Sequence, residues 1–478
     1  MPTIKEKYFE LKKMNSTYLT ENVIRSLLIS VNNFKSNEEL SLNMEKPMQN
    51  IDIFDNFVRR VLSGEPYQYV INSSSFCHLD FYVDSRVLIP RNETEELTLL
   101  VIDEMKKRHL ESSRVLDVCT GSGCIAISIN KEFPNTKVIG TDISSDALEV
   151  ARINNEKLNT NVAFLNGYLV DPVLELNKFD VLVSNPPYIL DESTVDKATL
   201  DYEPHLALFA NPNTKYYEKI ISSIPYIMKD HSFIAFEIEN GMEKTLPHII
   251  EKYLPHASYT FKKDIYGLYR FLFIDYVEVK DDLVKARDVL LKGGIVAFPT
   301  ETVMGLGVIY NDVNAYNRLN VVKNRPNDKP YTLMLDSYQK IERFAYLNEL
   351  AIKIIKKCQD ESFTLLLKRK NTVPDYVTHG TDIIGVRVPD DYRIKKLISI
   401  VELPLLVPSA NKSGEKPALN SNEAREIFKD EVDYYLEGES GRNKPSTIID
   451  LTNNEIKIIR EGELTLERLK RLLEEVDL

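Results

Sequence analysis

Tryptophan is absent from the 478 residues, and cysteine occurs only four times. Cys77, Cys119, Cys124 and Cys358 form no Cys-x-x-Cys pair and no Cys/His cluster with zinc spacing. A disulfide-stapled or zinc-stapled scaffold is thereby excluded. The thiols are expected to be reduced and mostly buried, and no metal centre is expected. No apolar run reaches the roughly 18 residues that a membrane-spanning helix needs. The opening Met1-Pro2-Thr3-Ile4-Lys5-Glu6-Lys7 is polar and lacks the apolar stretch of a secretion signal. The expected location is the cytoplasm, with no membrane partner. Positive charge is short too, at a net −12. That balance ill suits sequence-blind clamping of nucleic acid backbone, but it leaves room for a local basic site or a basic protein partner. Internal repeats and low-complexity tracts are missing. The remaining composition, 43% hydrophobic and 28% charged, is globular, and the chain is too long for one ordinary core.

Residues 1–75 read as a small helical bundle. Ile24, Leu27, Leu28 and Val31 recur at one-turn spacing, as do Ile53, Phe54, Phe57, Val58, Val61 and Leu62, before Gly64-Glu65-Pro66 ends the helical run. Residues 76–278 alternate short β-branched runs with helical segments. The runs Arg114–Val118, Lys137–Asp142, Val162–Leu165 and Phe179–Val183 predict a parallel, doubly wound sheet, which Ser232–Ile238 and Tyr269–Ile274 would extend. The charged segment Asp275–Lys280 predicts a junction. A helix from Asp281 to Leu291 follows, capped by Asp281 or Asp282, then a strand Ile295–Phe298. Residues 279–478 thus form a second α/β unit, and the whole is an α/β multidomain chain.

Asp117-Val118-Cys119-Thr120-Gly121-Ser122-Gly123 lies where a strand turns into a helix. Gly121 and Gly123 allow close approach of a ligand, and Asp142, closing the next strand, suits ribose hydroxyls. The same glycines fit the dinucleotide pattern G-x-G-x-x-A, so a nicotinamide cofactor stays open at this point, as does a simple tight turn. Ser184-Asn185-Pro186-Pro187-Tyr188 follows the fourth strand. Methyl transfer to a planar amide or amino nitrogen needs acceptors for both N–H hydrogens, because the delocalised lone pair is a poor nucleophile. The Asn185 side-chain oxygen and the Pro186 carbonyl supply them, two prolines stiffen the backbone, and Tyr188 packs on a flat target group. DNA adenine methyltransferases share this motif, so the target stays open on these residues alone.

Gly64-Glu65-Pro66-Tyr67-Gln68-Tyr69-Val70, Phe76, Val87–Leu97 and Asp201–Leu208 together resemble the HemK/PrmC family of glutamine methyltransferases over about residues 1–275. The resemblance implies a Rossmann-like class I methyltransferase sheet using S-adenosyl-L-methionine. It implies transfer to the glutamine amide in the Gly-Gly-Gln loop of peptide chain release factors, with the helical segment helping to dock that protein. It also implies Tyr168 beside the adenine or methionine part of the cofactor. The ion pair suggested by Arg91 and Glu93 has an ordinary surface reading as well. Against a DNA target stand the acidic charge, the lack of a basic groove, and the few kcal/mol that flipping a base costs.

In the second half, Lys292–Gly307 runs from a strand into a hydroxyl-rich loop. Lys323-Asn324-Arg325-Pro326 with Lys329-Pro330, Gly385–Pro389 and Pro408–Gly414 follow, and cations with hydroxyls suit a triphosphate. Alone, Lys-x-Arg also reads as a solvated face. With Ser446–Asp450 and Arg460-Glu461-Gly462, these segments resemble the YrdC-like threonylcarbamoyl-AMP synthases over about residues 282–465. The resemblance implies a reaction of threonine, bicarbonate and ATP with Mg²⁺, serving tRNA threonylcarbamoyladenosine through partner proteins. It implies Lys323 and Arg325 on phosphates, Thr300 and Thr302 at threonine, Ser409 and Asn411 at the nucleotide, and Arg387 orienting a carboxylate or phosphate. Met304 stands where the family commonly has Tyr, and Asp360-Glu361-Ser362 where it has Pro-Gly-Pro.

Overall fold

The computed structural model describes residues 1–278, 282–325, 330–359, 361–441, 444–453 and 455–474. The first elements are helices at Ile4–Lys13, Glu21–Val31, Asn37–Leu42, Ile51–Leu62 and Tyr67–Ile71. Thr3 and Glu6 form a reciprocal capping box that starts the first of them. Ile24, Leu27, Leu28 and Val31 are all buried, and they meet Phe54, Val58 and Val61 in one small core. The expected apolar face of Ile51–Leu62 is narrower than its sequence suggests, because Ile53 is 49% exposed. A hairpin of β1 (Ser74–Phe76) and β2 (Leu79–Phe81) leads on to the helix Asn92–Lys107.

A seven-stranded sheet follows, built from β3 (Arg114–Val118), β4 (Lys137–Asp142), β5 (Ala163–Asn166), β6 (Phe179–Ser184), β7 (Met228–Glu237), β8 (Ser258–Lys263) and β9 (Tyr269–Tyr276). Its order is β5-β4-β3-β6-β7-β9-β8. The first five strands are parallel, while β9 pairs antiparallel with both β7 and β8. The order reverses between β3 and β6, which opens a crevice at the carboxyl edge. Helices cover both faces, and the middle strands are apolar on both sides for that reason.

The second unit is a nine-stranded mixed sheet with β10 (Val296–Phe298), β11 (Gly305–Ile309), β12 (Leu333–Met334), β13 (Phe363–Lys368), β14 (Ile383–Arg387), β15 (Leu405–Leu406), β16 (Tyr434–Tyr435), β17 (Thr447–Asp450) and β18 (Lys457–Arg460). They run in the order β16-β10-β11-β15-β12-β14-β13-β17-β18. The expected junction reaches residues 279–281, and the expected cap Asp281 is among them; these lie outside the described residues. Asp282 occupies the cap position of the helix Leu283–Leu291, but its side chain makes no capping bond and pairs with Lys285 at 2.9 Å.

The two units pack on each other through the helices Lys215–Ile227 and Tyr392–Val401. Tyr392 enters the core of the first sheet, in one cluster with Tyr217 and Ile221. Lys395 Nζ reaches Asp171 Oδ2 at 2.9 Å, with both side chains 6% exposed. Lys219 pairs with Asp390, and Lys340 with Glu175. Among the described residues no helix is long and apolar enough to cross a membrane.

Candidate active site

Parallel register makes the crevice. Val118 pairs with Thr141 on one side and with Ser184 on the other, so three strands end level. The loops beginning at Cys119, Asp142 and Asn185 therefore leave one edge side by side. Ser184 Oγ ties two of these strand ends together by donating to the Val118 carbonyl at 2.6 Å.

At the glycine loop, Asp142 accepts the Gly121 N–H on Oδ2 and the Ser144 N–H on Oδ1, each at 2.9 Å. Those bonds fix the carboxylate with lone pairs left for two hydroxyls. Burial raises the Asp142 pKa, and the backbone donors oppose it. Asp117 accepts from Thr120 Oγ1 at 2.6 Å and from the Ala126 N–H at 3.3 Å, and burial pushes its carboxyl up to about 7. Cys119 takes φ +63°, and burial holds its thiol well above the usual range, which makes it a poor nucleophile. Ser122 is buried, and its carbonyl accepts from Asn154 Nδ2 at 3.0 Å. Gly123, at φ +80°, packs so closely that a Cβ would lie 3.0 Å from Ile127 and 3.2 Å from Ala151 and Phe164. Gly121, at φ +53°, has open space where a Cβ would stand. Asp117 Oδ1 and Thr141 Oγ1 are buried without a protein partner. The half-buried Asp142 carboxylate and the open space over Gly121 suit a nucleoside offering ribose hydroxyls. Tyr168 is buried beside this edge with the Lys219 ammonium 5.8 Å over its ring.

Asn185, Pro186, Pro187 and Tyr188 line a cavity of about 310 Å³ with Leu88, Arg91 and Glu237. Asn185 Nδ2 donates to Thr94 Oγ1 at 3.0 Å. Thr94 in turn donates to Glu237 Oε2 at 2.6 Å, and the Tyr188 hydroxyl donates to Glu237 Oε1 at 3.0 Å. Arg91 does not pair with Glu93; its partner is Glu203, which is buried and also accepts the Ile89 N–H at 3.0 Å. Thr94, Glu203, Glu237 and Ser184 were not singled out as site residues from sequence. Thr94 and Glu237 stand 143 positions apart, and no local pattern links them.

In the second unit two clusters form. Arg387 pairs with Glu301 and reaches Thr302 Oγ1 at 3.0 Å and Ser362 Oγ at 3.2 Å, while Thr300 Oγ1 lies 3.0 Å from Thr302 Oγ1. Ser362 is the hydroxyl where the family commonly has proline, and it also donates to Glu301 at 2.9 Å. Among the described residues, Glu301 Oε2 and Arg387 Nε are buried without partners. Met304 is fully buried in the core. In the other cluster, Lys323 Nζ donates to the carbonyls of Ser409 and Asn411, the latter at 2.7 Å, and Ser409 Oγ donates to Asn411 Oδ1 at 2.6 Å. Burial, then the nearby Arg325 and Lys412 charges, lowers the Lys323 ammonium to about 7. Arg325 donates to the Pro330 carbonyl at 2.9 Å and lies 4.3 Å over the Tyr331 ring. Pro326 and Lys329 of the cation-rich motif lie outside the described residues. A cleft of about 1310 Å³ between the units runs from Ser144, Asn166 and Tyr168 to Tyr338, Glu342 and Lys356.

A Rossmann-like methyltransferase joined to a YrdC-like α/β domain is the class that these two sheets and their sites define. A profile described as "Methyltransferase small domain" matches residues 90–201, which include both the glycine loop and Asn185–Tyr188. A profile of the Sua5/YciO/YrdC type, described as "Telomere recombination", matches residues 288–462. The release factor glutamine methyltransferase of Flavobacterium psychrophilum is 35% identical over 245 residues, covering 50% of this chain and 86% of its own. That of Bacillus subtilis is 34% identical over 271 residues, covering 54% and 94%. The chain, through its first half, belongs to the release factor glutamine methyltransferase family. A solved structure of P. abyssi Sua5 complexed with L-threonine is 34% identical with a TM-score of 0.39; the match covers 41% of this chain and 58% of that protein's length.

Proposed function

We propose that the first half transfers a methyl group from S-adenosyl-L-methionine to the side-chain amide nitrogen of the Gly-Gly-Gln glutamine of release factors. One observation carries this reading. The Asn185 side-chain oxygen and the Pro186 carbonyl accept no hydrogen bond from the described residues, and both residues line the cavity of about 310 Å³. The methyl donor supplies an electrophilic carbon on a positive sulfur. Asn185 and Pro186 take the two amide hydrogens and turn the nitrogen toward that carbon. The carbon–sulfur bond breaks as the carbon–nitrogen bond forms, and the surplus amide proton passes to water. In this reading Asp142 holds ribose hydroxyls, the Asp117–Gly123 loop cradles the donor, and Tyr168 borders it. Pro187 stiffens the acceptor turn, and Tyr188 walls the glutamine. The test is labelled donor with a release factor, beside a variant whose Gly-Gly-Gln glutamine is replaced, and beside DNA. Label in the native release factor alone is expected. Label in DNA with none in protein overturns the reading.

For the second half, the reading is synthesis of threonylcarbamoyl-AMP from threonine, bicarbonate and ATP, with Mg²⁺ on the phosphates. The supporting feature is the buried Arg387–Glu301 pair with its unpartnered atoms, facing Thr300 and Thr302. A threonine carboxylate and ammonium suit those two charges. Arg325, Ser409 and Asn411 form the nucleotide side, while Lys323, expected on phosphates, is buried beneath them with its bonds on the Ser409 and Asn411 oxygens. Both products serve translation in the cytoplasm, the second through proteins that modify tRNA. Pyrophosphate release that needs both threonine and bicarbonate tests it; ATP binding without such release leaves the domain a nucleotide-binding module.

A further inference from the structure

We infer that Thr94 and Glu237 form a proton relay that sets which face of the Asn185 amide meets the substrate. The inference rests on the methyl-transfer reading and deepens it. An asparagine side chain offers an acceptor and a donor that are nearly the same size and shape. Catalysis on an NH₂ group needs the acceptor outward; the reversed amide would aim N–H at N–H. Packing alone distinguishes the two poorly, so something must count protons.

The count runs from Glu237. This side chain is 2% exposed at the end of β7. As a carboxylate it only accepts, so both hydroxyls that reach it must donate: Thr94 to Oε2 at 2.6 Å and Tyr188 to Oε1 at 3.0 Å. Thr94 has one proton, and the carboxylate takes it. Its oxygen can then only accept from Asn185, which turns Nδ2 inward at 3.0 Å and leaves Oδ1 without a donor among the described residues, on a side chain that lines the cavity. Tyr188 is locked by the same carboxylate. Thr94 comes from the helix Asn92–Lys107, Asn185 and Tyr188 from the loop after β6, and Glu237 from β7, so three elements meet in one chain of bonds.

The groups facing Glu237 act on its carboxyl in both directions. Burial raises its pKa, with the Thr94 and Tyr188 bonds and the Arg270 charge from β9 opposing, and the Glu93 charge adding to the rise. From the remaining side, the Tyr217 hydroxyl donates to the Glu237 backbone carbonyl at 2.7 Å. Protonating Glu237 gives the chain a surplus hydrogen. The carboxyl then donates to Thr94, Thr94 donates to Asn185, and the amide reverses. Methyl transfer is therefore expected to fall on an acid limb that reports Glu237.

Thr94 and Glu237 are positioning residues, and the test separates them from mere scaffolding. Single-turnover transfer to release factor is measured against pH, with donor affinity measured in parallel. Thr94→Val is expected to lower the transfer rate about ten- to hundredfold, while donor affinity stays within about twofold. Thr94→Ser, which keeps the relay hydroxyl, recovers most of that loss. Glu237→Gln removes the titrating group, so its acid limb disappears whatever rate remains. The relay is overturned if Thr94→Val transfers at the native rate, or if the acid limb persists unchanged in Glu237→Gln. Should Thr94→Val lose donor binding through misfolding, Thr94→Ser and the pH profiles still decide. No transfer by the native protein at any pH sinks the methyl-transfer reading and the relay together, whereas normal native transfer with indifferent variants sinks only the relay.

Discussion

In the proposed reading, Asn185 and Asp142 divide the chemistry at the residue scale: one addresses the group that receives the methyl, the other the molecule that carries it. Asn185→Ala removes an acceptor for the target N–H but touches no donor-holding bond. Transfer should fall at least about a hundredfold, with donor affinity by calorimetry nearly unchanged. Asp142→Asn does the reverse. It replaces a charged acceptor that holds the Gly121 and Ser144 N–H groups at 2.9 Å, so both the loop and the ribose contacts weaken. Donor affinity should fall about ten- to hundredfold, as expected for losing hydrogen bonds to a charged group. Asn185 was legible in sequence because its neighbours Pro186, Pro187 and Tyr188 are its context. Thr94 and Glu237 were not legible, since their meaning arises only where a helix and a distant strand converge.

At the scale of elements, strand ends and helix starts decide the geometry. Gly123 begins the helix Cys124–Glu132 at φ +80° with Ile127, Ala151 and Phe164 closing over it. Gly123→Ala pays a left-handed backbone penalty and crowds three side chains, so a loss of about 1–3 kcal/mol in urea unfolding is expected. The runs Arg114–Val118 and Lys137–Asp142 matched their strands to the residue, because central parallel strands carry β-branched and apolar residues facing both layers. β8, Ser-Tyr-Thr-Phe-Lys-Lys, was missed. It is an edge strand with exposed alternate residues and two lysines, so it carries little apolar signal. Ile53 was misplaced for a related reason: one-turn spacing marks a stripe, but the width of that stripe depends on what packs against it.

For the whole molecule, the two units share a buried contact rather than a loose tether. Lys395 and Asp171 form an ion pair with both side chains 6% exposed, next to Tyr392 in the neighbouring core. Lys395→Ala strands the Asp171 carboxylate, and a loss of about 3–5 kcal/mol is expected, read as an earlier urea transition. Replacing both partners, Asp171→Asn with Lys395→Met, should recover most of it, because no buried charge is then left alone. A methyltransferase unit followed by a second α/β unit was legible from motif order along the chain. Their mutual seating was not, since Lys395 and Asp171 each look like ordinary surface charges in sequence.

Local features were determined by sequence alone: which strands are buried on both faces, where glycine relieves a turn, and which asparagine and prolines share one turn after a strand. Such features depend on neighbours within a few positions, so the order of residues suffices to state them. Tertiary structure alone decided the partners of Arg91, Asn185, Arg387 and Lys395, and with them the direction in which the Asn185 amide points. The reason is distance along the chain. A hydrogen bond acts over about 3 Å, and only folding brings residues a hundred positions apart within that reach.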